Sequence, residues 1–413
     1  MRVTYLHSCS GCGKIIETVI QQNTVKIFKE EPYMYHFEPL DAYLDHLYEN
    51  FLIPAADVMI IREGETVYRH MAGTSDVEHT VPLKGDEIYS IYSATKVSTC
   101  TAAMRLIQDG KLSLDDPVAK YLPAYAKVTV KRPDGSARPA KNVMTVRHLM
   151  SMQGGLDYDS MRGNVKQVLE ESGGKAGTVE IASAYAAGPL LFEPGTHYQY
   201  SLCHDVLAAV IEVASGMRYS DYLAEVIFRP LGMENTTFHP TKEQEAKACR
   251  LFKKNDAQDA LIDCGNFPER RLGENYESGG GGLHSTVPDY AELAYALANG
   301  GTGRNGYEVL APETITLLTT PMFGEPQRQD FIRIYPYMAG YTYCNGVRRF
   351  MENTGTQAPL GHFGWDGAAG FYVLSDPANR VGLIYGQNVL NSGITFTLLQ
   401  KQIRDLAYFC MQE

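Results

Sequence analysis

Two strand pairs stand near opposite ends of the chain, with a long helical stretch between them. Val58–Arg62 and Thr66–Gly73 are strand-like runs around Glu63-Gly64-Glu65, and Gly370–Pro377 and Arg380–Asn388 form a second hairpin pattern around Asp376-Pro377. Helical spacing appears in Glu38–Phe51, through Leu40, Tyr43, Leu44 and Leu47. It appears again in Ser93–Asp109, where Val97, Cys100, Met104 and Ile107 form a stripe and Gly110 is the stop. Thr145–Met152, Asp205–Gly216, Pro288–Ala298 and Thr395–Cys410 read as further helices, and Lys131–Lys141 and Glu171–Gly177 as loops. Hairpin, helices, hairpin, helix predicts an α+β fold, an antiparallel sheet flanked by helices with a mainly helical insert. The expected division is a sheet domain over 36–120 and 285–413, a helical domain over 121–284, and an N-terminal extension of unknown role over 1–35. No internal repeat of fixed period is present.

The chain has 413 residues, 44% apolar and 21% charged, enough for a sizeable core and unlike a disordered chain. Lys and Arg number 37 against 48 Asp and Glu, a net charge of −11 that disfavours nucleic-acid partners. The most apolar stretch, Phe51–Ile61, is broken by Pro54 and Asp57 and falls far short of the ~20 residues a membrane helix needs. The first residues lack the apolar core of a signal peptide, so a cytoplasmic location and reduced cysteines are expected.

Four chemical signals fail on context. Gly301–Gly306 matches G-x-G-x-x-G but follows a helix, whereas dinucleotide binding needs strand, loop, helix. The Gly11–Lys14 run lacks a P-loop's first glycine, with Ser8 in its place, and carries Ile15 where Ser or Thr would hold magnesium. His7, Cys9 and Cys12 have ligand-like spacing without a fourth ligand or a second C-x-x-C. No G-x-S-x-G elbow occurs. Neither a metal nor a cofactor is expected.

S-x-x-K occurs twice, at Ser93–Lys96 and Ser172–Lys175. The second lies in a Gly-rich loop that would not hold Lys175 near Ser172. Ser93 opens a predicted helix, which puts Lys96 one turn later on the same face. A helix start also offers free N–H groups and a positive dipole end, suited to a nucleophile that becomes an oxyanion-bearing ester. Simple helix capping by Ser93 is the alternative.

Two further segments, Pro194–Leu207 and Gly361–Pro377, stand in order behind Ser93–Lys96. With Glu87–Lys96, Lys111–Pro123, Thr145–Asp159 and Ser278–Gly301, the chain resembles, over about residues 38–405, the serine β-lactamase and penicillin-binding-protein-like hydrolases. The likeness is to their class C branch, with its esterases and D-aminopeptidases. The resemblance implies Ser93 as acylated nucleophile, Lys96 as its proton-handling partner and Tyr200 as the tyrosine of the Y-x-N box. Leu202 stands where that box has asparagine, which weakens a lactamase reading. The third box has two registers: His362-Phe363-Gly364 as an H-x-G variant, or Trp365-Asp366-Gly367 as the W-G-G variant of the esterases. The second is preferred, with Ala368 and Ser93 as the two oxyanion N–H donors and His362, Gly364, Trp365 and Gly367 lining the substrate. His148 and His204 read as structural.

A tyrosine base near pH 7 needs its pKa lowered by ~3 units, or ~4 kcal/mol. One cation at ~4 Å supplies about that at an effective dielectric near 20, and burial opposes it. Lys96 alone is marginal, a protonated His362 would help, and Lys96 as base is the alternative. The expected function is a serine hydrolase acting on small esters, amides or short peptides. Its partners are small molecules, with no nucleic acid, no membrane and the oligomeric state open. The runners-up are β-lactamase or D-amino-acid peptidase activity and a catalytically silent ligand-binding relative.

Overall fold

Both ends of the described chain contribute strands to one sheet. The computed structural model describes residues 35–412 apart from 77, 256–259 and 268–271. The N-terminal extension lies outside the described residues, Tyr35 excepted, as do His7, Cys9, Cys12 and the Gly11–Lys14 run. Strands β1 (Ala55–Arg62) and β2 (Glu65–Gly73) form the first hairpin, with Glu63 and Gly64 at positive φ in its two-residue turn. Strands β3 (Tyr341–Tyr343), β4 (Arg348–Phe350), β5 (Phe363–Asp366), β6 (Tyr372–Asp376) and β7 (Val381–Gln387) complete a seven-stranded sheet of order β2-β1-β7-β6-β5-β4-β3. Every pairing is antiparallel, and β1 meets β7 with Val58 opposite Tyr385.

Successive strand side chains alternate between faces. Met59, Ile61, Trp365, Val373 and Ile384 join one apolar core, and Val58, Ile60, Tyr372, Leu374 and Leu383 the other. Helices α1 (Glu38–Asp45) and α5 (Gln400–Cys410) cover the second face, and α5 is entered through a π turn at Thr395–Leu399. The first face carries α2 (Thr95–Gln108) and α4 (Val287–Ala298), and α3 (Cys203–Ser215) packs behind α2. The first core continues without a break into the 121–284 region.

Two expectations change. Helix α2 buries more than the expected apolar stripe: Thr95, Lys96, Ser98, Thr99 and Thr101 are buried with Val97 and Cys100. Side-chain hydrogen bonds make that burial tolerable, such as Ser98 to Tyr290 at 2.8 Å and Thr99 to the Gly279 carbonyl at 2.7 Å. The Lys131–Lys141 loop is instead a small hairpin, with Thr129–Lys131 paired to Ala137–Pro139. No helix among the described residues is long and apolar enough to cross a membrane.

Candidate active site

Tyr89 and Ser90 pair with His284 and Ser285, and the chain then turns sharply into α2. Tyr92 holds φ +45°, a left-handed conformation that a bulky residue adopts only when its surroundings enforce it. A short 3₁₀ turn, Tyr92–Ala94, runs straight into α2, so Ser93 sits just before the helix rather than inside it. One turn on, Lys96 is fully buried and its Nζ lies 3.1 Å from Ser93 Oγ. The same nitrogen donates to the Gly280 carbonyl and lies 3.4 Å from Tyr158 Oη.

Tyr200 arrives from the loop before α3. Its ring lies 4.6 Å from Lys96 Nζ, and its hydroxyl lies near enough to Ser93 for that side chain to favour the phenolate. It stacks between Tyr158 (5.6 Å, 17°) and Trp365 (5.5 Å, 25°), and Trp365 Nε1 donates to Tyr200 Oη at 3.1 Å. Tyr343 and Tyr335 meet the Trp365 ring edge-on at 5.1 and 6.1 Å and fix its plane. Two loops are tied together here, since Leu202 N–H donates to the Asp157 carbonyl at 3.0 Å. Burial pushes the Tyr200 phenol well above its ordinary range, against the opposing pull of Ser93 and Trp365. Burial likewise raises Tyr158, with Lys96 opposing. The Tyr158 ring is half exposed although its hydroxyl end is packed against Lys96.

Two glycines set the close approaches. A Cβ on Gly367 would fall 2.0 Å from the Ile91 carbonyl oxygen, so only glycine lets the end of β5 meet the turn that carries Ser93. A Cβ on Gly280 would fall 2.4 Å from Asp205 Oδ2. Asp205 accepts from Tyr276 Oη (2.7 Å), Ser278 Oγ (2.5 Å) and Gly280 N (3.4 Å), and so holds the loop whose carbonyl receives Lys96.

Ser93, Lys96, Tyr200, Trp365 and Gly367 therefore converge, while His362 does not; Ala368 follows Gly367, and its carbonyl accepts from Asn391 N at 2.7 Å. Strand alternation puts Phe363 and Trp365 on the Ser93 side and His362 on the other. The His362 ring bonds Tyr341 Oη at 2.7 Å and the Pro359 carbonyl at 2.8 Å, and it stacks on Phe350. Burial holds it down to about 3, so His362 is neutral near pH 7 and does not aid Tyr200, which corrects the sequence reading. Gly364 lies within β5 opposite Leu374, in the sheet rather than in the cavity wall. His148 accepts from Thr145 N at 3.2 Å as part of a helix cap, and His204 is buried against Cys100 and the Met150 carbonyl. Tyr158, Asp205 and Gly280 carried no motif of their own in the sequence. The aromatic in Gly154–Asp159 was a visible signal, but its partner was not.

Beside the cluster opens a cavity of about 360 Å³, lined by Tyr92, Tyr158, Leu202, Asp205, Phe238 and Tyr276 among others. Such a concave pocket, with aromatic rings and polar groups side by side, suits a small organic molecule. Among the described residues no group of His, Cys, Asp or Glu could hold a metal ion. The family described as Beta-lactamase matches residues 40–405. The chain belongs to the beta-lactamase family. Within this family, the chain is 26% identical over 397 residues to esterase EstB of Burkholderia gladioli, covering 89% of this chain and 94% of that protein. It is 27% identical over 344 residues to protein Rv1367c of Mycobacterium tuberculosis, covering 81% and 85%. The fold matches EstCE1, a hydrolase with promiscuous acyltransferase activity, with TM-score 0.73 at 23% identity over 90% of this chain and 98% of that one. Family and relatives support a hydrolase of beta-lactamase fold.

Proposed function

We propose that the protein is a serine hydrolase that forms an acyl-enzyme on Ser93 and acts on small esters in preference to β-lactams. The observation that carries this reading is the convergence of Ser93 Oγ, Lys96 Nζ at 3.1 Å from it, and the Tyr200 ring 4.6 Å from that nitrogen. Ser93 Oγ attacks the ester carbonyl and its proton passes to Lys96, which keeps its N–H bonds to Gly280 and Tyr158. The burial that raises the Tyr200 phenol keeps its proton on at neutral pH. Trp365 Nε1 has only a proton to give, so it occupies an acceptor site of Tyr200 and leaves the phenolic O–H free to donate. Tyr200 is then the acid that protonates the departing alkoxide, and the serine proton held by Lys96 replaces the one the phenol has given. The backbone N–H groups of Ser93 and Ala368 receive the oxyanion, a contribution worth about 3 kcal/mol for each donor. Water attacks the acyl-enzyme along the reverse proton path.

Leu202 in the cavity wall offers no amide-binding side chain, and Trp365-Asp366-Gly367 offers no lysine for a lactam carboxylate. Both favour esters. An acidic chain whose described cysteines are free thiols fits a cytoplasmic setting and a small-molecule substrate. The test is turnover of p-nitrophenyl acetate and nitrocefin, with intact mass after a phosphonate ester. Ester turnover with a covalent adduct that disappears in Ser93→Ala is expected. An adduct that persists in that variant removes the assignment, and faster nitrocefin than ester turnover reverses the substrate order.

A further inference from the structure

A second cavity, far smaller, lies at the sheet's opposite face under α5. Its volume is about 20 Å³, room for one water-sized body. Arg348 of β4, Asp366 of β5, Tyr372 of β6, and Lys401 and Arg404 of α5 are in its lining. Arg348 and Arg404 are each only 5% exposed. Arg348 pairs with Asp366, and Arg404 donates to Asp405 at 2.8 Å and to Tyr341 Oη at 2.9 Å. The carboxylates of Asp366 and Asp405 are thus already taken, and Lys401 leaves one positive charge in excess.

Guanidinium groups do not shed their protons, so two buried arginines keep their charge. Arg348 is held over the rings of Tyr341, Trp365 and Tyr372 at 5.4, 5.4 and 5.5 Å, contacts that favour a weakly hydrated cation without neutralising it. His362, reached through Tyr341, is neutral and adds no charge of either sign. Burial pushes the Lys401 amine below its ordinary range, Arg404 and Arg348 add to that, and Asp405 opposes it. Like charges gathered around a partly open cavity are stabilised by a counter-ion bound in it.

We propose that this cavity is a binding site for one small monovalent anion of chloride size, held by the Arg348 and Arg404 guanidiniums and the Lys401 ammonium. The site does not depend on the acyl-enzyme reading, because none of its three cations touches Ser93, Lys96 or Tyr200. A crystal of the protein soaked in bromide tests it directly. An anomalous peak among Arg348, Lys401 and Arg404 is expected, and no peak there overturns the proposal. In solution, the unfolding midpoint is measured in sodium chloride and in sodium gluconate at equal ionic strength. A saturable rise specific to chloride is expected, with its half-saturating concentration moved up about tenfold in Lys401→Gln, the equivalent of ~1.4 kcal/mol. Equal effects of the two salts on the wild-type protein overturn the proposal, as does an unchanged chloride response in a folded Lys401→Gln.

Discussion

The two S-x-x-K tetrads of this chain share a serine, a lysine and the spacing between them, and nothing else. Lys96 is buried with Ser93, Gly280 and Tyr158 around its nitrogen, whereas Lys175 is exposed. Ser172 closes the helix Val165–Glu171, donating to the Leu169 carbonyl at 3.2 Å and accepting from Ala176 N at 3.1 Å. Gly173 and Gly174 then take φ +60° and +78° and turn the chain away before Lys175 is reached. The spacing brings serine and lysine onto one face only when a helix follows the serine. At Ser93 the helix follows, and at Ser172 it has just ended. What matters is the continuing backbone and the buried partners it finds.

The largest test of that difference is a pair of alanine substitutions. Under the acyl-enzyme reading, Ser93→Ala lowers ester kcat by about 10⁴-fold or more. Ser172→Ala leaves kcat/KM within about twofold and lowers unfolding free energy by ~1 kcal/mol, the value of an ordinary hydrogen bond. Steady-state kinetics and denaturant unfolding on the two variants read both numbers. A comparable loss of activity at Ser172 would put the chemistry in the wrong tetrad. Next in size is Tyr200→Phe, which keeps the stacked ring and removes only the hydroxyl. A loss of about 10²–10³-fold in kcat is expected for a missing proton donor. If the loss shrinks with substrates carrying a better leaving group, Tyr200 acts as the acid, and an equal loss for all leaving groups removes that role.

The burial that sets Lys96 apart from Lys175 has a consequence for its neighbour His204. Burial, with Lys96 adding, holds the His204 imidazole down to about 3, from the ordinary 6.5. Between those values the unfolded chain binds the proton and the folded chain does not, so stability rises with pH through the window and is level above it. At pH 4.5 this one residue is expected to withdraw about 2–3 kcal/mol relative to pH 7. Unfolding free energies of the wild type and His204→Asn at both pH values measure it, with the variant losing less on acidification. Equal losses in the two proteins would mean that His204 keeps an ordinary affinity for protons in the fold.

Much of the fold was legible because strand and helix periods are local. The β1–β2 and β6–β7 hairpins, α3 and α4 follow from alternation, turn residues and apolar spacing. β3 and β4 escaped notice because three-residue strands carry no period. The burial of Thr95, Ser98 and Thr99 was hidden because their partners, Tyr290 and the Gly279 carbonyl, lie far along the chain. In the candidate site, Ser93, Lys96, Tyr200 and Trp365 could be named from motif order. Motif order preferred Trp365 but left His362 open, since the choice depends on which residues in and before β5 face inward, and a shift of one residue exchanges the faces. Tyr158 was missed for a similar reason. Its place beside Lys96 is created by the hydrogen bond between Leu202 and Asp157, a contact between two loops that no local pattern encodes.

The smallest expected effect separates what the first tetrad does alone from what the sheet adds to it. Trp365 supplies an N–H that the Tyr200 oxygen receives, and Tyr335 and Tyr343 hold the indole in plane. Trp365→Phe keeps an aromatic surface against Tyr200 and deletes that donor. A single neutral hydrogen bond is worth about 1 ± 0.5 kcal/mol, so kcat/KM should fall roughly three- to tenfold. The loss should fall on kcat if the indole orients the phenol, and on KM if it serves only as a wall for the substrate. A fall beyond about 10³-fold would exceed what one such bond can supply and would give the indole a direct part in the chemistry. No change in either constant would mean that Ser93, Lys96 and the loop around Gly280 suffice to orient Tyr200. The sheet's contribution would then be reduced to Gly367, whose missing side chain lets β5 close over the serine.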